Sequence, residues 1–249
     1  MSPSYRSCLR PDLFQDQVVL VSGAGGGIGR AVAAAFREHG AHVVGLDLRP
    51  ADDTFDFSEH VALDLCDADA VRSVVDGVAG RFGRIDAVVH CAAIYRREPD
   101  PTTAHCPTWS ATLQANLGGL LALDRAALPW LLPGACIVHV GSVRSSTAAR
   151  GAVAYTVSKA MVDQATRQLA LEWAGRGIRV NAVAPGDVET PMNPLRPEDP
   201  GQSQLLARCP LGRMGQPWEI AGAILFLCSP MASYVHGATL RVDGGFLAH

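Results

Sequence analysis

The chain has 249 residues, 48% of them apolar, with 21 basic against 24 acidic side chains. That length carries one large domain or two small ones, and the apolar share suffices for a sizeable core. Charge is evenly scattered, with Arg96-Arg97 as the basic doublet, which argues against a nucleic-acid or other polyanion surface. The 7 cysteines (Cys8, Cys66, Cys91, Cys106, Cys136, Cys209, Cys228) form no Cys-x-x-Cys pair and read as free thiols of a reducing compartment, several of them buried in strands. The chain opens without a charged-then-apolar leader, and no apolar run approaches the ~18 residues of a membrane span. A cytoplasmic protein with no membrane partner is expected.

Residues 1–13 read as a flexible leader and 14–249 as one domain. The first strand pattern, Val18–Val21, runs into Ser22-Gly23-Ala24-Gly25-Gly26-Gly27-Ile28-Gly29 and a helix pattern over 27–39, closed by Gly40. Glycines let a backbone turn tightly against a pyrophosphate, and a helix N-terminus offers N–H groups and partial positive charge. The spacing is Gly23-x-x-x-Gly27-x-Gly29 rather than the commoner Gly-x-Gly-x-x-Gly, so the strand–turn–helix context carries the dinucleotide reading. The second strand, His42–Leu46, leads to Asp47, where a Rossmann unit holds the adenosine ribose. A carboxylate there accepts from both ribose hydroxyls and repels a 2′-phosphate, which predicts NAD over NADP. Arg49 is the counter-signal, because an arginine accommodates that phosphate.

Strand His60–Leu63, helix 67–82, strand Ala87–His90, helix 108–131, strand Cys136–Val140, helix 152–175, strand Arg179–Val183, helix 217–228 and strand Leu240–Val242 follow. Strands apolar nearly throughout and alternating with helices predict an α/β, single-domain Rossmann-type doubly wound parallel sheet of about seven strands, with helices on both faces. The long irregular stretch at about 187–213, with prolines at 191, 194, 197, 200 and 210, follows a strand's carboxyl end. It reads as a substrate lid with a short helix within Ser203–Arg208.

Tyr155 and Lys159 stand four residues apart on one helix face, with Ser142 thirteen residues before the tyrosine. A phenol ionises near pH ~10, and bringing it to about 7 takes roughly 4 kcal/mol of stabilisation from a neighbouring positive charge. The pair is therefore a candidate proton-transfer device. No His, Cys or Asp group shows metal-ligand spacing, so no metal is expected. His90, at a strand end, reads as a hydrogen-bonded structural histidine.

With the glycine turn, Ser142, Tyr155 and Lys159 together, the chain resembles the short-chain dehydrogenases/reductases over nearly its whole length, Asp16 to Gly245. Ser22 to Gly29 is similar to that family's Thr-Gly-x-x-x-Gly-Ile-Gly cofactor turn, which implicates Gly23, Gly27, Ile28 and Gly29. Asp64, beside Leu65, matches the acidic residue that holds the adenine amino group. Ala92 falls in the stretch that follows the fourth strand. Pro185, Gly186, Val188 and Thr190 match the turn that contacts the nicotinamide end, and Asn116 matches a helix asparagine that holds a relay water on the lysine side. Asn181-Ala182-Val183-Ala184-Pro185-Gly186 and Val242-Asp243-Gly244-Gly245 are also typical. The family's Asn-Asn-Ala-Gly is here His90-Cys91-Ala92-Ala93, where Ala93 adds a methyl on the adenosine side.

The resemblance implies that Tyr155 exchanges the substrate proton and that Lys159 lowers its pKa and bonds the nicotinamide ribose. It also implies that Ser142 holds the substrate oxygen while hydride passes to or from the nicotinamide. It points to oxidation of a small cyclic secondary alcohol, carboxylated if Arg96 or Arg144 contacts it. The alternatives are an NADPH-dependent ketone or 3-ketoacyl-thioester reductase and a non-catalytic NAD-binding regulator. Apolar residues on more than one face of helices 108–131 and 152–175 agree with the homo-oligomer, a dimer or tetramer, that the resemblance implies.

Overall fold

The computed structural model describes residues 11–50, 58–97, 107–196 and 200–248. Seven strands form one parallel sheet in the order β3-β2-β1-β4-β5-β6-β7. They are β1 (Val18–Ser22), β2 (His42–Asp47), β3 (Glu59–Ala62), β4 (Ile85–His90), β5 (Leu131–Val140), β6 (Arg179–Pro185) and β7 (Thr239–Val242). The helices are α1 (Gly27–Glu38), α2 (Ala68–Phe82), α3 (Pro107–Leu113), α4 (Gly119–Ala127), α5 (Val153–Trp173), α6 (Pro200–Ala207) and α7 (Pro217–Cys228). No helix among the described residues is long and apolar enough to cross a membrane.

The doubly wound fold follows from the β-rich segments. Along β1, Val19 and Val21 enter one apolar cluster, with Phe36, Ile220 and Ile224 of α1 and α7. Val18 and Leu20 enter the other, with Val75, Leu123 and Ala170 of α2, α4 and α5. Alternate side chains point to opposite faces, so a central strand apolar from Val18 to Val21 needs a helical layer on each side. Each large buried side chain contributes roughly 1.5–3 kcal/mol. The edges differ from the expectation of strands covered on both faces: β3 and β7 are only half-buried, since each has a single neighbouring strand.

Local signals stop the helices where the chain must turn. Asp67 caps α2, its Oδ1 accepting from the Asp69 and Ala70 N–H groups, and Gly83 ends that helix at φ +71°. Pro217 opens α7, and Gln216 and Glu219 close a capping box around its first turn.

One long helix was expected over 108–131. Instead α3 passes through a π-helical turn, Gln114–Gly118, into α4, which ends at Ala127 in a short 3-10 turn, Leu128–Trp130. Strand β5 then starts at Leu131, five residues before the expected Cys136. Pro129 and Pro133 remove backbone donors and bias the residues before them away from helix, which explains the early end. The Gly118-Gly119 pair lies at the junction; a β-carbon at Gly119 would sit 2.8 Å from Leu65 Cβ, so its absence lets α4 lie close to the chain after β3. Among the cysteines, Cys136 is buried in β5 and Cys228 is buried at the end of α7, while Cys66 is exposed. Cys8 and Cys106 lie outside the described residues, as does most of the expected leader.

Candidate active site

Adjacent β1 and β4 carry their next neighbours, β2 and β5, away in opposite directions, which opens a crevice at the carboxyl ends of the strands. The glycine turn lines it. Gly23 has φ +65°, and a β-carbon there would lie 2.6 Å from Ala92 Cα, so only glycine fits between β1 and the chain leaving β4. Gly26 starts α1 without a side-chain cap, the first turn holds no acidic residue, and the N–H groups of that turn (Gly27, Ile28, Gly29) suit an anion. A β-carbon at Gly27 would lie 2.8 Å from the Thr190 methyl carbon, so the start of the expected lid packs directly on the turn.

Asp47 closes β2 beside this turn. Its Oδ2 accepts from the Gly25 N–H at 2.9 Å and its Oδ1 from the Arg49 N–H at 3.1 Å. The Arg49 guanidinium donates to the Gly25 carbonyl at 3.1 Å, with its side chain 66% exposed. A carboxylate has about four acceptor sites, so Asp47 retains capacity for a ribose diol. Asp64 is exposed, its Oδ1 accepting from the Cys66 N–H, with half-buried Leu65 between them. These residues form a cradle that fits a dinucleotide: a turn no side chain could enter, a helix N-terminus and a carboxylate at the second strand's end.

The proton-handling groups stand at the opposite side of the crevice, on β5 and α5. Ser142 follows β5 and its Oγ accepts from the Arg144 N–H at 3.1 Å. Tyr155, in the first turn of α5, packs its ring edge-on against Tyr95 at 5.1 Å. Burial pushes the phenol above its usual range; the neighbouring Ser142 hydroxyl and the Arg144 charge act against that rise. Lys159 is buried one turn further on, and its Nζ donates to the Val140 carbonyl at 2.7 Å. Burial brings its ammonium down to about 8, while Cys91 and Asp163 hold it up. The Lys159 Nζ lies 5.7 Å from the Tyr155 ring centroid. In this state the groups that lower the phenol are Ser142 and Arg144, where the resemblance implies Lys159.

Asn116 lies buried in the π-helical turn, a feature often found at functional sites. Its Oδ1 accepts from the Ile94 N–H at 2.7 Å, and its Nδ2 donates to the Ile94 carbonyl and to Ser158 Oγ. Ser158 in turn donates to the Tyr155 carbonyl at 2.7 Å. The amide thus ties the chain after β4 to α5, and its side chain is already bonded where the resemblance implies a relay water. Pro185 and Gly186 end β6, and a β-carbon on Gly186 would meet Asp243 Cα at 2.9 Å. Val188 bridges to Gly215 and Thr190 to Asn193, so the lid's first residues are anchored.

This geometry pairs a dinucleotide cradle with a Ser–Tyr–Lys proton site across one crevice. Residues 23–247 match the family model described as enoyl-(acyl carrier protein) reductase. The chain belongs to the short-chain dehydrogenase/reductase family. A 3-oxoacyl-[acyl-carrier-protein] reductase FabG of Thermotoga maritima is 36% identical, the alignment covering 94% of this chain and 99% of that protein. A cis-4-hydroxycyclohexanecarboxylate dehydrogenase of Sinomonas cyclohexanicum is also 36% identical, covering 95% and 99%. The solved structure of gox2181 superposes with a TM-score of 0.91 at 34% identity over 99% of this chain and all of that one (100%). This short-chain dehydrogenase/reductase is therefore an oxidoreductase that binds a nicotinamide cofactor.

Of the two arginines expected near the substrate, Arg144 stands beside Ser142, its charge felt at the Tyr155 phenol, whereas Arg96 is exposed past β4. Tyr95, Arg208 and Phe246 also line this region and carried no motif to mark them; an aromatic just past β4 was the only available hint for Tyr95. A cleft of about 760 Å³, lined by Ala135, Ile178, Arg179, Cys228 and Tyr234, lies at the amino ends of the strands and shares none of the Ser142, Tyr155 and Lys159 set.

His90 is the bonded structural histidine that its strand-end position suggests, but within a larger group. Asp124 Oδ1 is 2.8 Å from His90 Nε2 and its Oδ2 is 3.1 Å from His139 Nε2, while His139 Nδ1 contacts Thr166 Oγ1 at 2.8 Å. Residues 34 positions apart in sequence thus meet with ligand-type atoms within 4.8 Å of one another, although no metal-ligand spacing is visible in the chain. Both carboxylate oxygens already serve imidazoles. Asp124 is held well below the usual carboxylate range, with burial opposed by the charges and bonds of His90 and His139.

Proposed function

We propose that this protein transfers hydride between NAD and a secondary alcohol, oxidising a small cyclic one. The single observation that carries the reading is the Ser142–Tyr155–Lys159 group, its serine and lysine buried and its tyrosine half-buried, facing the Gly23–Gly29 cradle, with Asp47 at the ribose end. The cofactor, when bound, supplies the hydride acceptor or donor. Gly23, Gly27, Ile28 and Gly29 would hold its pyrophosphate, Asp47 its adenosine ribose, and Asp64, Leu65 and Ala92 the adenosine side. Pro185, Gly186, Val188 and Thr190 would line the nicotinamide end. Ser142 holds the alcohol oxygen, and Tyr155 takes its proton during oxidation. Lys159, cationic below about pH 8, stabilises the Tyr155 phenolate that accepts this proton and holds the ribose hydroxyls. Asn116 fixes α5 relative to β4 and so keeps Tyr155 in place.

The Sinomonas relative, named for action on a cyclic alcohol, supports the substrate class. Two observations favour a second reading, an NADPH-dependent ketoacyl reductase: the Thermotoga relative and the Arg49 guanidinium beside Asp47. A turnover screen of cyclic secondary alcohols with NAD and NADP separates them. Turnover with NAD and tighter binding of NADH than NADPH is expected; tighter NADPH binding sinks the cofactor assignment. We also infer a homo-oligomer, dimer or tetramer, because α5 and α7 leave Leu171 76% and Trp218 67% exposed, and a cytoplasmic location, because the described cysteines are free thiols. A monomeric mass by light scattering contradicts it.

A further inference from the structure

We propose that Arg144 and Arg208, both stacked on the Phe246 ring, form a clamp for a substrate carboxylate, which makes the natural substrate a hydroxy acid. This rests on the hydride-transfer reading above and names its substrate class.

The Arg144 guanidinium carbon lies 5.5 Å from the Phe246 ring centroid and that of Arg208 lies 4.9 Å from it. Phe246 is only 4% exposed, so the ring is a fixed shelf that draws two cations from distant parts of the chain to its surroundings. Neither arginine has an ion pair with an acidic side chain among the described residues, whereas Arg49, Arg72, Arg81, Arg84 and Arg213 each have one. Each guanidinium presents a planar donor fork that matches a carboxylate, so two of them around one ring make this end of the site attractive to an anion. Of the neighbouring acids, Asp243 is committed to the Gly245 and Leu247 N–H groups, and Asp187 faces the Tyr155 phenol closely enough to raise it.

The clamp stands where the far end of a substrate would lie. The backbone N–H of Arg144 donates to Ser142 Oγ, so that arginine adjoins the group holding the reacting oxygen. Arg208 immediately follows α6, the helix of the lid. The loop bearing Phe246 closes against both ends of the lid: Asp243 packs on Gly186, and Gly244 and Gly245 approach Cys209 and Pro210. A compact molecule with an alcohol at one end and a carboxylate a few atoms away spans Ser142–Tyr155 and the clamp. Among the described residues Arg96 shares no ring with them, and it stays outside the clamp.

The test compares hydroxycyclohexane carboxylic acids with their uncharged carboxamides, measuring kcat/KM for each with the full-length protein and either cofactor. The acid is expected to exceed the amide by 10-fold or more. Arg144→Gln and Arg208→Gln are each expected to lower that ratio by about 10- to 100-fold, chiefly through KM, as befits loss of a charge-assisted bond. Arg208→Lys should fall between, since it keeps the charge and loses the fork. An acid-to-amide ratio near one in the unaltered protein, ratios unmoved by both glutamine variants, or collapse on Arg96→Gln instead would overturn the clamp. If no alcohol is turned over, the hydride-transfer reading fails on its own, and calorimetry with cyclohexanecarboxylate and cyclohexanecarboxamide still decides the clamp. Tighter binding of the acid that is lost in Arg208→Gln supports it; equal binding of the two overturns it.

Discussion

Two polar clusters adjoin each other at the carboxyl end of the sheet. In the His90–Asp124–His139 group both carboxylate oxygens hold imidazoles, and Thr166 bonds the second ring in turn. In the Ser142–Tyr155–Lys159 group the phenol is pushed up by burial and the ammonium pulled down, and each keeps capacity for a partner not of this chain. They share a strand: His139 precedes Val140, whose carbonyl holds Lys159, and the Lys159 charge helps keep His139 below its usual range. A polar network satisfied by its own members anchors β4, β5, α4 and α5. One left in electrostatic tension is the candidate for chemistry.

The contrast breaks most visibly at Tyr155. Tyr155→Phe is expected to lower kcat by about 10²–10⁴-fold while leaving the unfolding midpoint in urea nearly unchanged. Survival of near wild-type turnover would remove Tyr155 from proton transfer. Asp124→Leu should do the reverse, lowering stability by about 3–5 kcal/mol because two buried imidazoles lose their acceptor. The sign with pH is definite. The folded Asp124 carboxyl lies below its unfolded value, so its contribution is present above the ordinary carboxylate range and lost as pH falls. His139, also lowered, adds further loss below about pH 6.5. A leucine variant as stable as the parent at pH 7 would refute the anchor.

Lys159 sharpens the comparison from the other side. Its ammonium titrates at about 8 instead of 10.5, so the fold is penalised while the group is charged and gains stability as pH rises between those values. The stability of the native protein relative to Lys159→Met should therefore rise by about 3 kcal/mol from pH 7 to 10, at ~1.4 kcal/mol per unit. Urea titrations at both pH values check it, and a constant difference would place the lysine in water. The smallest effect belongs to Glu219, which bonds Arg213 and closes the α7 capping box at a half-exposed surface. Glu219→Gln should change stability by less than about 1 kcal/mol and leave catalysis alone.

Much of this was legible in the chain because it depends on short-range periodicity. Tyr155 and Lys159 share a helix face by spacing alone, Gly23 and Gly27 announce a tight turn, and Asp47 ends a strand that apolar residues identify. The break at Gln114–Gly118 and the early end of α4 were not legible. A π-helical turn gives no periodic signal, and Pro129 was outweighed by a long apolar pattern.

By itself the sequence determined the fold class and marked the candidate cradle and the proposed Ser142–Tyr155–Lys159 trio, since local spacing and burial pattern suffice for each. Only the tertiary structure decided which distant polar residues meet. It joined His90 to Asp124 and His139, turned Asn116 into a strut for α5, and brought both Arg144 and Arg208 against Phe246. Those contacts come from strand order and helix packing, and nothing in the spacing of such residues along a chain encodes the distance between them in space.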